Sequence, residues 1–306
     1  MPFWGVFGLQ WHPRFCVWSS AISENNAMVW TAGHRLQNGQ YVIEAVLGRG
    51  YSGIVYKALH VPLDRLVAVK TPKSNPDSEK FVQRLLEEGR LLARLSRHPH
   101  PHMVGICDRF QEGEIHCLVM NFVPGETLSQ RVKRQGALPE AEAVSCIQQI
   151  GNALVALHRL GLTHCDAQPN NIILRADSSS SHPTAVLIDF GIAKELIPNL
   201  RSATAKAGNR DFAPYEQLYQ GIWEPTVDVY SLAASLYWAV TGERPAIARD
   251  RKLNDLPLVP PQQIVAGICD RTHRAILAGM ELEPENRPPS MQAWLALLQT
   301  PVSTLS

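Results

Sequence analysis

His164-Cys165-Asp166-Ala167-Gln168-Pro169-Asn170-Asn171, with Asp189-Phe190-Gly191 a short way on, carries more information than any other stretch of the chain. It sets an acid, an amide and a second acid on loops that leave and re-enter short apolar segments. Asp166 and Asn171 stand five apart, and Asp189 lies between Leu187-Ile188 and Phe190-Gly191. Oxygen ligands of this kind suit Mg²⁺ on a nucleoside triphosphate, with a neighbouring acid to orient a hydroxyl for attack. An isolated Asp before Phe-Gly reads as a turn, so the assignment depends on what stands upstream.

Upstream, Gly48-Arg49-Gly50-Tyr51-Ser52-Gly53-Ile54-Val55 fits G-x-G-x-x-G-x-V. Such a glycine run also opens the helix of a dinucleotide fold. Here Ile54, Val55 and Tyr56 are β-branched or aromatic, so a strand follows and the glycines form a hairpin that can approach phosphates. Val67-Ala68-Val69-Lys70 ends an apolar strand on an ammonium. A helix then starts at Asn75-Pro76 and runs to about Ser96, with Phe81, Leu85, Leu92 and Leu95 as its apolar stripe. Glu88 falls inside that stripe, where a carboxylate is costly without a cation. Lys70 is the nearest candidate by topology; Glu87, further round the helix, is the alternative.

The 306 residues carry a net charge of +1, 45% apolar and 19% charged residues, as in an ordinary folded protein. That balance gives no reason to expect nucleic acid or an anionic membrane as partner. The six cysteines form no C-x-x-C pair, which argues against a disulfide framework or zinc site. No apolar run reaches the ~20 residues of a membrane span, and the N-terminus lacks a signal-peptide pattern. A cytoplasmic location is the expectation. Residues 1–35 form an aromatic-rich extension with Trp4, Trp11, Trp18 and Trp30, packed on the main domain or foreign to the natural product. Met28 is a candidate start, a point left open.

Short β-rich segments occupy Tyr41 to Val69, and Ile115 to Phe122 reads as a further strand. Beyond Pro124-Gly125 the pattern turns helical. A long helix opens at Pro139 with Val144, Ile147, Ile150, Leu154 and Leu157 on one face and stops at Gly161. Leu174 and Val186 flank a polar hairpin connection. Helices follow over Thr226–Val240, Asp270–Leu282 and about Met291–Leu298. A small β-rich half followed by a helical half predicts two lobes with a ligand cleft between them.

The glycine hairpin, strand lysine, helix glutamate and two acidic loops stand in one order, and together they resemble the eukaryotic-type serine/threonine protein kinases found in bacteria. The resemblance spans roughly Tyr41 to Leu298. It extends to Ala213-Pro214-Tyr215-Glu216, to Asp228-Val229-Tyr230-Ser231-Leu232, and to Pro284-Glu285-Asn286-Arg287-Pro288. It implies an α+β bilobal fold in a domain of residues 41–300, with an N-lobe over about 41–120 and a C-lobe over about 124–300. It implies ATP and Mg²⁺ as cofactors and Ser/Thr-bearing proteins as substrates. Asp166 then accepts the hydroxyl proton, Asn171 and Asp189 hold Mg²⁺, and Lys70, paired with Glu88, positions phosphates under Gly48, Gly50 and Gly53. Leu47, Val55, Ala68 and Ile173 sandwich the adenine, Met120 is the gatekeeper, Asn121 to Val123 form the hinge, and Arg287 pairs with Glu216.

The pattern breaks in three places. Cys165 stands where most members have an Arg that receives an activation-loop phosphate, which implies an enzyme not switched by that pairing even though Ser202 and Thr204 are present. Gln168 replaces the lysine that steadies the transferring phosphate, and Asn209 replaces the threonine that bridges this lysine to the aspartate. A Gln168–Asn209 hydrogen bond is the expected substitute. His98-Pro99-His100-Pro101-His102 invites a metal reading, but the prolines oppose convergence of its rings, and a loop after the helix is expected. The rival to an active kinase is a pseudokinase that binds nucleotide and signals by contact. A small-molecule phosphotransferase does not need the segment from Ala213 to Arg287. With no sensor domain in the sequence, regulation is expected from the extension or from partners not named by it.

Overall fold

Alternation along the first strands sends residues to opposite faces of one sheet. In the computed structural model, residues 29–50, 53–72, 78–176, 181–190, 193–195 and 209–299 are described. Among them, β1 (Arg35–Leu36), β2 (Tyr41–Arg49), β3 (Gly53–His60), β4 (Arg65–Pro72), β5 (Ile106–Glu112) and β6 (Ile115–Asn121) form an antiparallel sheet ordered β1-β2-β3-β4-β6-β5. Ile43, Tyr56, Ala58, Val67, Val69, Cys117 and Val119 pack on one face. Trp30 closes that face at 4% exposure, tilted on Tyr56 at 5.3 Å and stacked on His34 at 5.6 Å. The intervening residues Val55, Ala68, Lys70 and Met120 belong to the opposite face by the two-residue period.

That opposite face meets α1 (Ser78–Leu95), whose Phe81, Leu85, Leu92 and Leu95 are all buried. Asn75 and Pro76, expected to start this helix, lie outside the described residues. β5 escaped the sequence pattern because Asp108, Arg109 and Glu112 interrupt its apolar residues. The His98–His102 loop ties the two lobes together. Val104 N–H donates to Leu187 O, Leu187 N–H to His102 O, and Asn121 N–H to Gly105 O, each at 2.9 Å. Among the described residues no cluster of three or more His, Cys, Asp or Glu suits a metal ion.

The second lobe is built on helices. α2 (Leu128–Gln135) follows β7 (Glu126–Thr127) and carries a capping box, with Gln130 N–H donating to Thr127 Oγ1 and Thr127 N–H to Gln130 Oε1. α3 (Glu140–Arg159) buries Ile147, Ile150, Leu154 and Leu157, while Val144 is half-buried. Beyond β8 (Leu162–Thr163), β9 (Ile172–Arg175) and β10 (Thr184–Leu187) pair antiparallel, and β11 (Lys194–Glu195) returns to β8. α4 (Tyr215–Tyr219) precedes α5 (Pro225–Thr241), in which every residue from Thr226 to Thr241 is buried. α6 (Ala248–Leu253), α7 (Pro261–Ile264), α8 (Asp270–Gly279) and α9 (Met291–Leu297) complete the lobe.

α8 ends three residues earlier than the expected Leu282. A Cβ on Gly279 would lie 2.5 Å from Ala233 Cβ and 2.6 Å from Trp294 Nε1, so glycine lets the helix end press against α5 and α9. The result is a β-rich lobe and a helical lobe facing each other. Among the described residues no helix is long and apolar enough to cross a membrane.

Candidate active site

The two apolar strands β3 and β4 place Val55 opposite Lys70, and β4 with β6 places Ala68 opposite Met120. Leu47, Val55, Ala68, Val123 and Ile173 all keep some exposure, Leu47 most at 48%. Gly48 pairs with Val55 across β2 and β3. A Cβ on Gly53 would sit 1.9 Å from Thr71 O, so only glycine allows β3 to start this close to β4. Gly50 N–H closes the hairpin on Gly53 O at 2.9 Å.

Lys70 Nζ lies 2.7 and 2.9 Å from the two Glu88 oxygens and 2.7 Å from Asp189 Oδ1. Glu88 is 3% exposed, whereas Glu87 faces solvent, which settles which of the two meets the lysine. Burial alone would lower the Lys70 pKa; Glu88 first and Asp189 second outweigh it and hold the ammonium charged. One cation therefore joins the α1 carboxylate to the one that follows β10.

Asp166 is organised by neutral donors. Asn171 Nδ2 donates to Asp166 Oδ2 at 2.7 Å and to Asp166 O at 3.0 Å, while Gln168 Nε2 donates to Asp166 Oδ1 at 2.9 Å. Burial, and then the Asp189 charge, push the Asp166 carboxyl up to about 6. Asn209 Nδ2 donates to Gln168 Oε1 at 2.6 Å, so the hydrogen bond expected between the two substituted positions is present. With Asn171 Nδ2 engaged on Asp166, the amide turns Oδ1 the other way. The Asn171 amide oxygen and the Asp189 carboxylate are hard oxygen donors, a set that fits Mg²⁺.

The contacts that hold this loop escaped the sequence reading, although Asp228 lies in a segment that carries the resemblance. Cys165, with φ +66°, and His164 donate their N–H groups to Asp228 Oδ1 and Oδ2 at 2.8 and 2.9 Å. His158 Nε2 lies 2.8 Å from Asp228 Oδ2, and Gln217 Nε2 donates to Cys165 O at 2.6 Å. His164 meets Phe190 edge-on at 4.7 Å. The available signal was Asp228 itself, a lone carboxylate in an otherwise uncharged, buried helix. Gly191, Ser202 and Thr204 lie outside the described residues.

A family model for the protein kinase domain matches residues 41–266. The chain belongs to the protein kinase family. A probable serine/threonine-protein kinase of Clostridium perfringens is 30% identical to it over 261 residues, covering 83% of this chain and 37% of that protein. Serine/threonine-protein kinase PknL of Mycobacterium tuberculosis is 31% identical over 271 residues, 81% of this chain and 66% of PknL. The chain thus spans between about a third and two thirds of the length of these curated relatives. The solved apo form of PpkA-294 superposes with a TM-score of 0.69 at 26% identity, covering 89% of this chain and 99% of that one. The bilobal kinase fold expected from the sequence is therefore the fold observed.

Proposed function

We propose that this protein kinase transfers the γ-phosphate of ATP, with Mg²⁺, to serine and threonine hydroxyls of protein substrates. The observation that carries the reading is the pairing of an amide-held Asp166 with the Lys70–Glu88–Asp189 triad. Asp166 orients the substrate hydroxyl and accepts its proton, and Lys70 positions the phosphates. Asn171 and Asp189 would hold Mg²⁺, which when bound neutralises charge on the phosphate oxygens. Leu47, Val55, Ala68 and Ile173 enclose the adenine, with Met120 behind it and the backbone from Asn121 to Val123 beside it. Domain boundaries of 41–300, with residues 1–35 as the extension, and a cytoplasmic location complete the proposal.

The test is transfer of labelled γ-phosphate to a generic protein acceptor by the wild type and by Asp166→Ala. Equal signals from the two would sink the reading. Nucleotide-induced thermal stabilisation without transfer would instead favour a nucleotide-binding scaffold, the reading that the uncharged Gln168 supports.

Control of the loop without an activation-segment phosphate is part of the same proposal. Cys165 is buried, its Sγ lies 3.6 Å from Thr163 O, and its backbone is held by Asp228 and Gln217. A phosphatase-treated protein is expected to keep its activity within about twofold, because Asp228 and Gln217 rather than a phosphate order the loop. A loss of tenfold or more would overturn this part.

A further inference from the structure

Resting on the kinase reading above, we infer that Asn209 is a positioning residue for phosphate transfer, acting on Asp166 through Gln168 in an amide relay of fixed polarity. The relay can be followed atom by atom. Asp211 N–H donates to Asn209 Oδ1 at 3.0 Å, Asn209 Nδ2 to Gln168 Oε1 at 2.6 Å, and Gln168 Nε2 to Asp166 Oδ1 at 2.9 Å. A backbone N–H can only donate and a carboxylate can only accept. The orientation of both amides is thus dictated from each end, and the two ends agree. Flipping either amide would set two donors or two acceptors against each other.

The outer end is anchored. Asp211 Oδ2 takes a hydrogen bond from Arg244 Nη1 at 2.5 Å, and the Arg244 guanidinium lies 5.8 Å from the Trp238 ring centroid. Phe212 packs on the same Trp238 at 5.6 Å, and Phe212 N–H and Ala213 N–H both donate to Asn209 O. The segment 209–213 is therefore fixed to the end of α5 before it reaches Gln168. Gln168 is 8% exposed and has its oxygen taken by Asn209, so its amide has one way to face Asp166. A side chain 41 residues from Gln168 in sequence then sets which face of the catalytic carboxylate is presented to substrate.

The experiment compares Asn209→Leu, Asn209→Asp and the double variant Asn209→Asp/Gln168→Lys with wild type. Asn209→Leu removes the donor without adding charge, and kcat is expected to fall about tenfold with KM for ATP within twofold. Asn209→Asp reverses the polarity, turning Gln168 Oε1 onto Asp166, and should cost about a further tenfold. In the double variant the lysine donates to both carboxylates, and kcat should recover at least tenfold over Asn209→Asp. A kcat for Asn209→Asp no lower than that of Asn209→Leu, or a double variant no better than Asn209→Asp, would overturn the relay. Independently of transfer, the Gln168 side-chain amide should exchange hydrogen slowly in wild type and fast in Asn209→Leu. Equal exchange overturns the relay even if the wild type transfers no phosphate, a result that would by itself count against the functional reading instead.

Discussion

Arg287 donates through Nη1 and Nη2 to the two carboxylate oxygens of Glu216, at 2.6 and 3.1 Å, across 71 residues of chain. Its remaining N–H groups meet Glu281 O at 2.7 Å, Leu282 O at 2.9 Å and Thr226 O at 3.1 Å, so all five donors are used. The guanidinium also lies 4.9 Å from the Tyr230 ring centroid. Arginine supplies this planar fork and lysine does not. Removing it leaves a buried carboxylate and three carbonyls without their donor. Arg287→Ala is expected to destabilise the protein by about 3–5 kcal/mol, read as a lower urea midpoint at unchanged slope. A shift worth less than about 1 kcal/mol, the value of an exposed pair, would show the fork to be dispensable.

The Lys70–Glu88 pair predicts a pH-dependent defect. Burial raises the Glu88 pKa, and Lys70 is the principal influence lowering it. In Lys70→Met that influence is gone, so the folded-state pKa stands further above the unfolded value. The folded variant then binds more protons than its unfolded chain, and stability falls as pH rises through the raised pKa. Lys70→Met should therefore be closer to wild type in thermal midpoint at pH 5 than at pH 8. A deficit independent of pH would mean that Glu88 finds another cation. Transfer should fall by orders of magnitude at either pH.

Trp30 lies before the segment that the kinase family model matches, yet it closes the outer face of the N-lobe sheet. Its ring packs on the buried Tyr56, which it shields from water, and stacks on the exposed His34. Trp30→Ala is expected to cost about 3–5 kcal/mol, the range for a buried aromatic truncated to alanine. Thermal unfolding checks it, and an unchanged midpoint would place Trp30 outside the folding unit.

What the sequence made legible follows from how local each signal is. Glu88 stood out because a carboxylate inside an apolar helix stripe needs a cation. Lys70, Asp166, Asn171 and Asp189 stood out through their order along the chain, which carries the family resemblance. The structure brings these five together. α5 was legible because an uncharged run must be buried. β5 was not, because alternating charges on a partly exposed strand imitate a loop. α2 was missed despite its capping-box sequence, since its apolar content is low and the motif at Thr127 and Gln130 is its main signal. The roles of Gln217 and Asp228 escaped for a different reason. Their role is to satisfy the backbone of Cys165 and His164, and a backbone partner leaves no mark on the spacing of side chains.

Asp166 makes the last prediction, on pH. Its carboxyl is pushed up to about 6 by burial and then by Asp189, against the donors on Gln168, Asn171 and the Asn209 backbone. Only the ionised form can accept the proton of a substrate hydroxyl. The active form therefore prevails above about 6 and is lost below it. kcat/KM, which reports the free enzyme, should be flat above neutrality and fall about tenfold per pH unit below pH 6. The Gln168 donor favours the ionised form, so Gln168→Leu should move the limb to higher pH as well as lower the plateau. A wild-type limb near the ordinary carboxylate value of about 4 would mean that the site is wetter than its burial implies. A limb unmoved in Gln168→Leu would mean that the amide orients Asp166 without stabilising its charge.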